Sequence, residues 1–454
     1  MVDPGVDAQG PPEGGTVRLS RRVAVIGAVV AALASAGTLP ALANVRRADE
    51  TLKATDVGVS PTTIRIAVIA DVDNAIIPGL FQPSVDGVNA AVKLINKAGG
   101  IGGRKLAVDF IDSKLNPNET RNAMIKACAN DFAMVGTAAV FVTNVEDMTQ
   151  CEDQAGAATG LPDFGAVVAG NVQACAPTEF SLLPPQVICA TKDQHPQTYQ
   201  SYVGAAKYLL KKHGNLHGAF VEGNDSADGY KAYQIQSLAL QDAGIKADQE
   251  IGVSARAPQS VYTPIVSKMK TDGSNFGFGG AAPLAFRQEA ILQGIPSDSV
   301  TWLCNSTCYN SAFEAGGSDV DGQYVTLPFL PFEDADQSKA MATFVKAVGK
   351  DKVQAYSIYG YAATLAFRDA LTAVVEKGGN NNVTRAALLE GGKTLTKFDA
   401  DGLFGTEDIA GGKLSSCYVL IQIQDGKWKR VNPTKKGTFD CKPQNYVKFE
   451  HDFG

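Results

Sequence analysis

The hydrophobic pattern of the chain switches period again and again. Ile64, Ile66 and Val68 recur at every second position, the signature of a strand. Val88, Ala91, Val92 and Ile95 then fall on one face of a helix that ends at Asn96-Lys97-Ala98-Gly99-Gly100. Leu106, Val108 and Phe110 restore the two-residue period. Strand, helix and strand in that order imply a parallel sheet covered by helices, hence an α/β fold.

The alternation continues. Asn116 caps a helix with Pro117 at its first position and Glu119 three after the cap, and the helix runs to about Asn130. A strand at 133–135, a helix over 144–157 and a short strand near 163–164 follow. Residues 165–197 break the pattern with Pro177, Pro184, Pro185 and Pro196, and read as a connection leading out of a first lobe. Beyond it the spacing predicts a helix over 198–212, strands at 216–221 and 249–253, and a helix over 227–243 stopped by Gly244. Thr263-Pro264 starts another helix, and the series goes on at 276–278, 283–293, 300–303 and 322–327. Pro328 and Pro331 mark a second crossing, and a long helix spans 356–376. Near the end, apolar runs at 416–424 and 427–431 flank Asp425-Gly426, a strong hairpin signal.

Length and charge narrow the picture. A chain of 454 residues with 45% hydrophobic content holds two domains of ordinary size. A formal net charge of −6 without a basic stripe argues against nucleic acid as a partner. The N-terminus reads as an export signal. Arg18, Arg21 and Arg22 precede an apolar run over 23–36, and Ala41-Leu42-Ala43 fits a small-residue cleavage site. Ser20-Arg21-Arg22 partly matches a twin-arginine signal but lacks the bulky apolar pair after it, which favours the general secretory route. An uncleaved membrane anchor is the alternative, weakened by Gly37 and Pro40. No cysteine lies near residue 43, so a lipoprotein anchor is not expected. The expected location is extracytoplasmic.

Eight cysteines agree with export and read as disulfides. Eight allow on the order of 100 connectivities. They fall as four close couples, and those are the pairs expected: Cys128–Cys151, Cys175–Cys189, Cys304–Cys308 and Cys417–Cys441. Zinc at Cys304 and Cys308 would need further ligands, and none of the 4 histidines is near in sequence. No metal and no cofactor is expected.

One run carries a family resemblance. Ala91, Lys93, Ile95, Asn96, Ala98, Gly99, Gly100, Ile101, Gly103, Arg104, Lys105 and Leu106 follow the first strand in a wording that resembles the opening of type I periplasmic binding proteins, the receptors of branched-chain amino acid ABC importers. By order of elements the resemblance covers roughly 62–430. It implies two Rossmann-like lobes with parallel sheets flanked by helices, joined by hinge strands. The expected organisation is a signal peptide at 1–43, a linker at 44–61, a first lobe from 62–185 and 328–397, and a second from 186–327 and 398–454. The resemblance also implies a small-molecule ligand and an ABC permease and ATPase as partners. A monomer is expected.

Ligands of open parallel sheets sit beyond the carboxyl ends of strands. That rule selects five loops and these candidate ligand contacts: Asp73 and Phe81; Gly136, Thr137, Ala138 and Ala139; Asn224 and Asp228; Gly280 and Ala281; Asn305 and Tyr309. In the resembled family the loop at 136–139 holds a ligand carboxylate; plain close packing of strand and helix is the other reading. Asp228 stands where the family often has an aromatic contact, and Asn305 near where amino acid receptors often carry an acid. Both departures weaken a simple amino acid assignment. For Tyr309 an aromatic wall and a core position are equally open.

Gly100-Ile101-Gly102-Gly103 follows a helix and precedes a strand, the reverse of a phosphate-binding turn. His213 and His217 are separated by Gly214, which interrupts the helix, and His195 stands alone beside a proline. No Gly-x-Ser-x-Gly elbow occurs. A non-enzymatic binding protein is therefore expected, with a ligand-sensing receptor or an exported α/β hydrolase as the alternatives.

Overall fold

The structure, a computed structural model, describes residues 51–280 and 282–453. The expected signal peptide, the start of the linker, and Ala281 lie outside the described residues. Two parallel sheets flanked by helices carry the fold, as the alternation of periods predicts. The first contains β1 (Thr63–Ala70), β2 (Lys105–Asp112), β3 (Ala133–Val135) and β4 (Asp163–Phe164), ordered β2-β1-β3-β4. Its register places Ile64 beside Leu106 and Ile66 beside Val108, so the alternating apolar positions coincide across the ladder.

A two-stranded antiparallel sheet pairs β5 (Gln197–Tyr202) with a strand at the chain's end. The second large sheet contains β6 (His217–Gly223), β7 (Lys246–Val253), β8 (Phe276–Gly279), β9 (Thr301–Cys304), β10 (Tyr324–Leu327), β11 (Val419–Gln424) and β12 (Lys427–Asn432). Its order is β12-β11-β10-β9-β8-β6-β7, and the terminal hairpin β11–β12 joins antiparallel to β10. The partner of β5 is β13 (Tyr446–His451).

The helices are α1 (Gln82–Lys97), α2 (Pro117–Asn130), α3 (Glu146–Thr149), α4 (Asn171–Ala174), α5 (Gly204–His213), α6 (Ala227–Asp242), α7 (Tyr262–Asp272), α8 (Pro283–Leu292), α9 (Ser311–Glu314), α10 (Lys339–Val348), α11 (Ala355–Gly378) and α12 (Arg385–Gly392). Asn116 caps α2 by accepting from the backbone N–H of Asn118 and Glu119, as its sequence signature predicts. Helix α11 is buried along most of its length and packs on α1, β3 and β4, although it follows the second sheet's first five strands in sequence. Where α1 and α11 cross, the backbones nearly touch. A Cβ on Gly87 would lie 2.0 Å from the Ser357 carbonyl oxygen, and one on Gly360 would lie 2.1 Å from that of Ser84.

Three expected elements differ. The helix over 144–157 is confined to Glu146–Thr149. Beyond it Asp153 accepts from the Ala155 and Ala157 N–H groups and from the Thr159 hydroxyl, which winds the chain into a turn. The helix over 198–212 starts only at Gly204, because 197–202 pair with β13, a partner invisible to any local reading. Residues 51–61 are not a loose linker. The buried Asp56 carboxylate accepts from the backbone N–H of Val57, Gln154 and Arg385, and Val59 is in the core. The Arg385 guanidinium, also buried, donates to the Glu152, Cys128 and Asp131 carbonyls and so ties α12 to the end of α2.

The cysteines are bonded as Cys128–Cys151, Cys175–Cys189, Cys304–Cys308 and Cys417–Cys441.

Candidate ligand site

A cavity of about 370 Å³ lies between the two large sheets. That falls within the range of small-molecule sites. One side is built from the segment after β4, residues 165–169, and from Tyr356 and Tyr359 at the start of α11. The facing side comes from α6, with Asp228, Lys231, Ala232, Tyr233, Ile235 and Gln236, and from the end of β9 with Asn305 to Thr307. Three stretches that lead from one sheet to the other, at 183–186, 326–328 and 414–418, run along the wall. Two disulfides reach it, through Cys304 and Cys417.

The two sides touch. The Ser306 and Tyr359 hydroxyls are 2.7 Å apart, and a Cβ on Gly170 would lie 2.7 Å from Asp228 Oδ2. Phe81 backs the cavity's Tyr356 edge-on at 4.9 Å. Gly280 lies behind Tyr233, where a Cβ would come within 2.5 Å of the ring.

Of the residues selected from sequence, Asp228 and Asn305 line the cavity. Asn305 is already engaged: its carbonyl oxygen accepts from the Thr307 N–H and hydroxyl, and its amide donates to Gln236. The others sit elsewhere. Asp73 and Asn224 are exposed, the first with its N–H on Asp112 and the second with its N–H on the Val253 carbonyl. Tyr309 is a core residue that donates to Glu333 at 2.5 Å and stacks on Phe332.

The loop at 136–139 stands one layer behind the wall. Gly136 holds a positive φ of 76° against Val88, whose Cγ2 would be 2.3 Å from an added Cβ. Its N–H donates to Phe164, and that of Ala138 to Ile69. The Thr137 hydroxyl donates to Asp163 at 2.6 Å, while its carbonyl accepts from Ala166 and Val167. Ala139 is buried among Val142, Met148 and Cys151. The Thr137 carbonyl thus holds the 165–169 segment in place, and the bonded N–H groups of Gly136 and Ala138 are not free for a solute. Only the four-residue α3 follows this loop, so it lacks the long helix whose dipole would draw an anion.

Beneath the 165–169 segment lies a buried carboxyl pair. Glu179 accepts from the Gly165 N–H and the Ser181 hydroxyl, and Gln173 bridges Glu179 and Asp163. Burial, and then the Asp163 charge, raise Glu179 well above the usual carboxylate range. Burial likewise raises Asp163. Next to the 414–418 stretch, off the wall itself, Glu407 accepts from the Ser415 N–H, and burial pushes its pKa up to about 8. Burial, and next the Glu407 charge, raise the phenol of Tyr202, which lines the cavity.

No hydrolytic constellation accompanies the cavity among the described residues. His217 and Ser274 both bond to Asp248, at 2.7 and 2.5 Å, so the serine faces a carboxylate and not the imidazole. His195 bonds to Asp452 on the surface.

The sequence model of the periplasmic binding protein family matches residues 63–427. The chain belongs to the periplasmic binding protein family. Among curated relatives of this family, Leu/Ile/Val-binding protein homolog 1 of Brucella abortus is 27% identical over 308 residues, covering 66% of this chain and 75% of that protein. Two solved structures share the fold. A fatty acid ABC transporter substrate-binding protein from Thermomonospora curvata superposes with a TM-score of 0.61 at 14% identity, covering 86% of this chain and 95% of that one. The branched-chain amino acid transporter substrate-binding protein LivJ from Streptococcus pneumoniae, in complex with isoleucine, gives 0.62 at 14% identity, covering 82% and 100%. Members of the family are extracytoplasmic solute-binding proteins, and a small-molecule ligand and a transporter complex go with that role.

Five tyrosines of the cavity escaped sequence reading, among them Tyr418 just before β11. Tyr356 and Tyr359 are spaced three apart at the head of a long apolar helix, where aromatics read as core. Tyr233 lies in the interior of α6 rather than in the loop before it, and Tyr202 lies in the unexpected strand β5. The proline clusters at 177–185 were the usable signal, because they mark the crossing that forms part of the wall.

Proposed function

We propose that this protein is the monomeric, exported solute receptor of an ABC importer, and that the cavity between its sheets is the ligand site. The carrying observation is the cavity's position: its walls come from both sheets and from all three stretches that cross between them. A solute held there contacts both sides at once, and only such differential contact can favour a closed form over an open one. We assign 62–185 and 328–397 to one moving lobe and 186–327 and 398–454 to the other, with export by the segment at 1–43. The closed form is what a permease would recognise. No catalysis is part of this role.

A thermal-shift screen of small metabolites on the folded protein tests the reading. One chemical class should raise the melting temperature, by about 2.7 kcal/mol of stabilisation at a concentration 100 times its Kd. A screen in which every class leaves the melting curve unchanged argues against it.

A further inference from the structure

The cavity's polar groups define which solute it can take. An ion moved from water into an apolar site needs a counter-charge or several hydrogen bonds there, or its desolvation is not offset. Anions meet little positive side-chain charge. Among the described residues no arginine lines the cavity, and the sole lining cation is Lys231. Its ammonium is turned to a group off the wall: it donates to Gln197 at 3.1 Å and lies over the rings of Tyr199 and Phe453, at 5.5 and 5.0 Å. The loop at 136–140 is not part of the cavity wall, and its Gly136, Ala138 and Val140 N–H groups are engaged within the protein. A zwitterion meets the same obstacle at its carboxylate.

What the wall does offer is aromatic and aliphatic surface, with several hydroxyls. The phenols of Tyr359 and Tyr418 are bonded, to Ser306 and to the Gly204 carbonyl. The Tyr202 hydroxyl is buried with no hydrogen-bond partner. Buried polar atoms are almost always paired, and Tyr202 belongs to the cavity wall, so a solute there is one source of the missing partner.

We propose that the solute is uncharged: an apolar, ring-sized body with one hydrogen-bonding group that meets the Tyr202 hydroxyl. The proposal rests on the reading of this cavity as the ligand site. Glu407 agrees with it. Burial raises its carboxyl pKa to about 8, which fits weakly polar surroundings behind Tyr202. Asp228, the lining carboxylate, packs against Gly170 and is half-exposed, at the edge rather than in the depth.

Four probes on one skeleton test this by calorimetry: 3-phenylpropionamide, 3-phenylpropionate, 3-phenylpropylamine and L-phenylalanine. The neutral amide should bind at least about tenfold tighter than each charged form. Tyr202→Phe should weaken the amide about tenfold while the probe-free protein melts no lower than wild type, which separates a ligand contact from a structural role. A charged probe that binds tightest, or an amide indifferent to Tyr202→Phe, overturns the proposal and leaves the receptor reading standing. If none of the four binds, the protein is equilibrated with a total metabolite extract, washed and denatured, and the released compound is identified by mass spectrometry. A neutral compound supports the proposal and a charged one overturns it. A protein that retains nothing overturns the receptor reading as well.

Discussion

Replacing Gly87 by alanine is expected to destabilise the first lobe severely. The added carbon would lie 2.0 Å from the Ser357 carbonyl oxygen, and the obstacle is helix backbone, not a side chain that can swing away. Helix α1 must then separate from α11, and the reciprocal approach of Gly360 to Ser84 opens with it. Overpacking a side chain costs about 1–3 kcal/mol, and a clash with backbone should exceed the upper end. The lowest thermal transition should fall by about 6 °C or more. Lys93→Ala, exposed on the same helix, should change stability by no more than about 0.5 kcal/mol. Melting curves for the two variants check this. Equal, small shifts would mean that the helices do not cross as closely as described.

Glu407→Gln is expected to stabilise the protein at neutral and alkaline pH. Glu407 is buried, and its pKa is raised from 4.5 to about 8. Between those values the folded state keeps a proton that the unfolded state gives up. Stability therefore falls as pH rises through that window, by about 1.4 kcal/mol per unit from this group alone, and levels off above it. Glutamine removes the titration while keeping an acceptor for the Ser415 N–H. At pH 8 the variant should gain up to about 4 kcal/mol relative to wild type, and near pH 4.5 the two should converge. Denaturant unfolding at several pH values reads the difference directly. Parallel pH profiles would show that Glu407 is ionised in the fold.

The periodic parts of this fold are legible in the sequence because they are local. The apolar stripe of α1, the Asn116 cap and the Asp425-Gly426 hairpin each depend on residues a few positions apart. What the sequence concealed is non-local. Strand β5 exists because 446–451 pair with it, and its isolated residues carry a helical spacing into α5. Gly87 and Gly360 read as two glycines among 46, and only the helix crossing shows why neither can carry a side chain.

The site was legible in part for the same reason. Looking beyond strand ends found Asp228 and Asn305. It also selected Gly136 to Ala139, whose small residues serve close packing and hold the wall from behind. The tyrosines that form the wall sit on helices and on a crossing strand, where an aromatic looks the same whether it faces a core or a cavity.

The central claim is that one solute is captured between the sheets. Ala232 is on the cavity wall, on α6, and is not fully buried, so Ala232→Trp would fill the space from one side. Titration calorimetry of the compound that stabilises the wild-type protein should give a stoichiometry of about one, with binding abolished in Ala232→Trp while the variant still melts cooperatively. Undiminished binding by a folded Ala232→Trp protein would place the solute elsewhere and contradict the account.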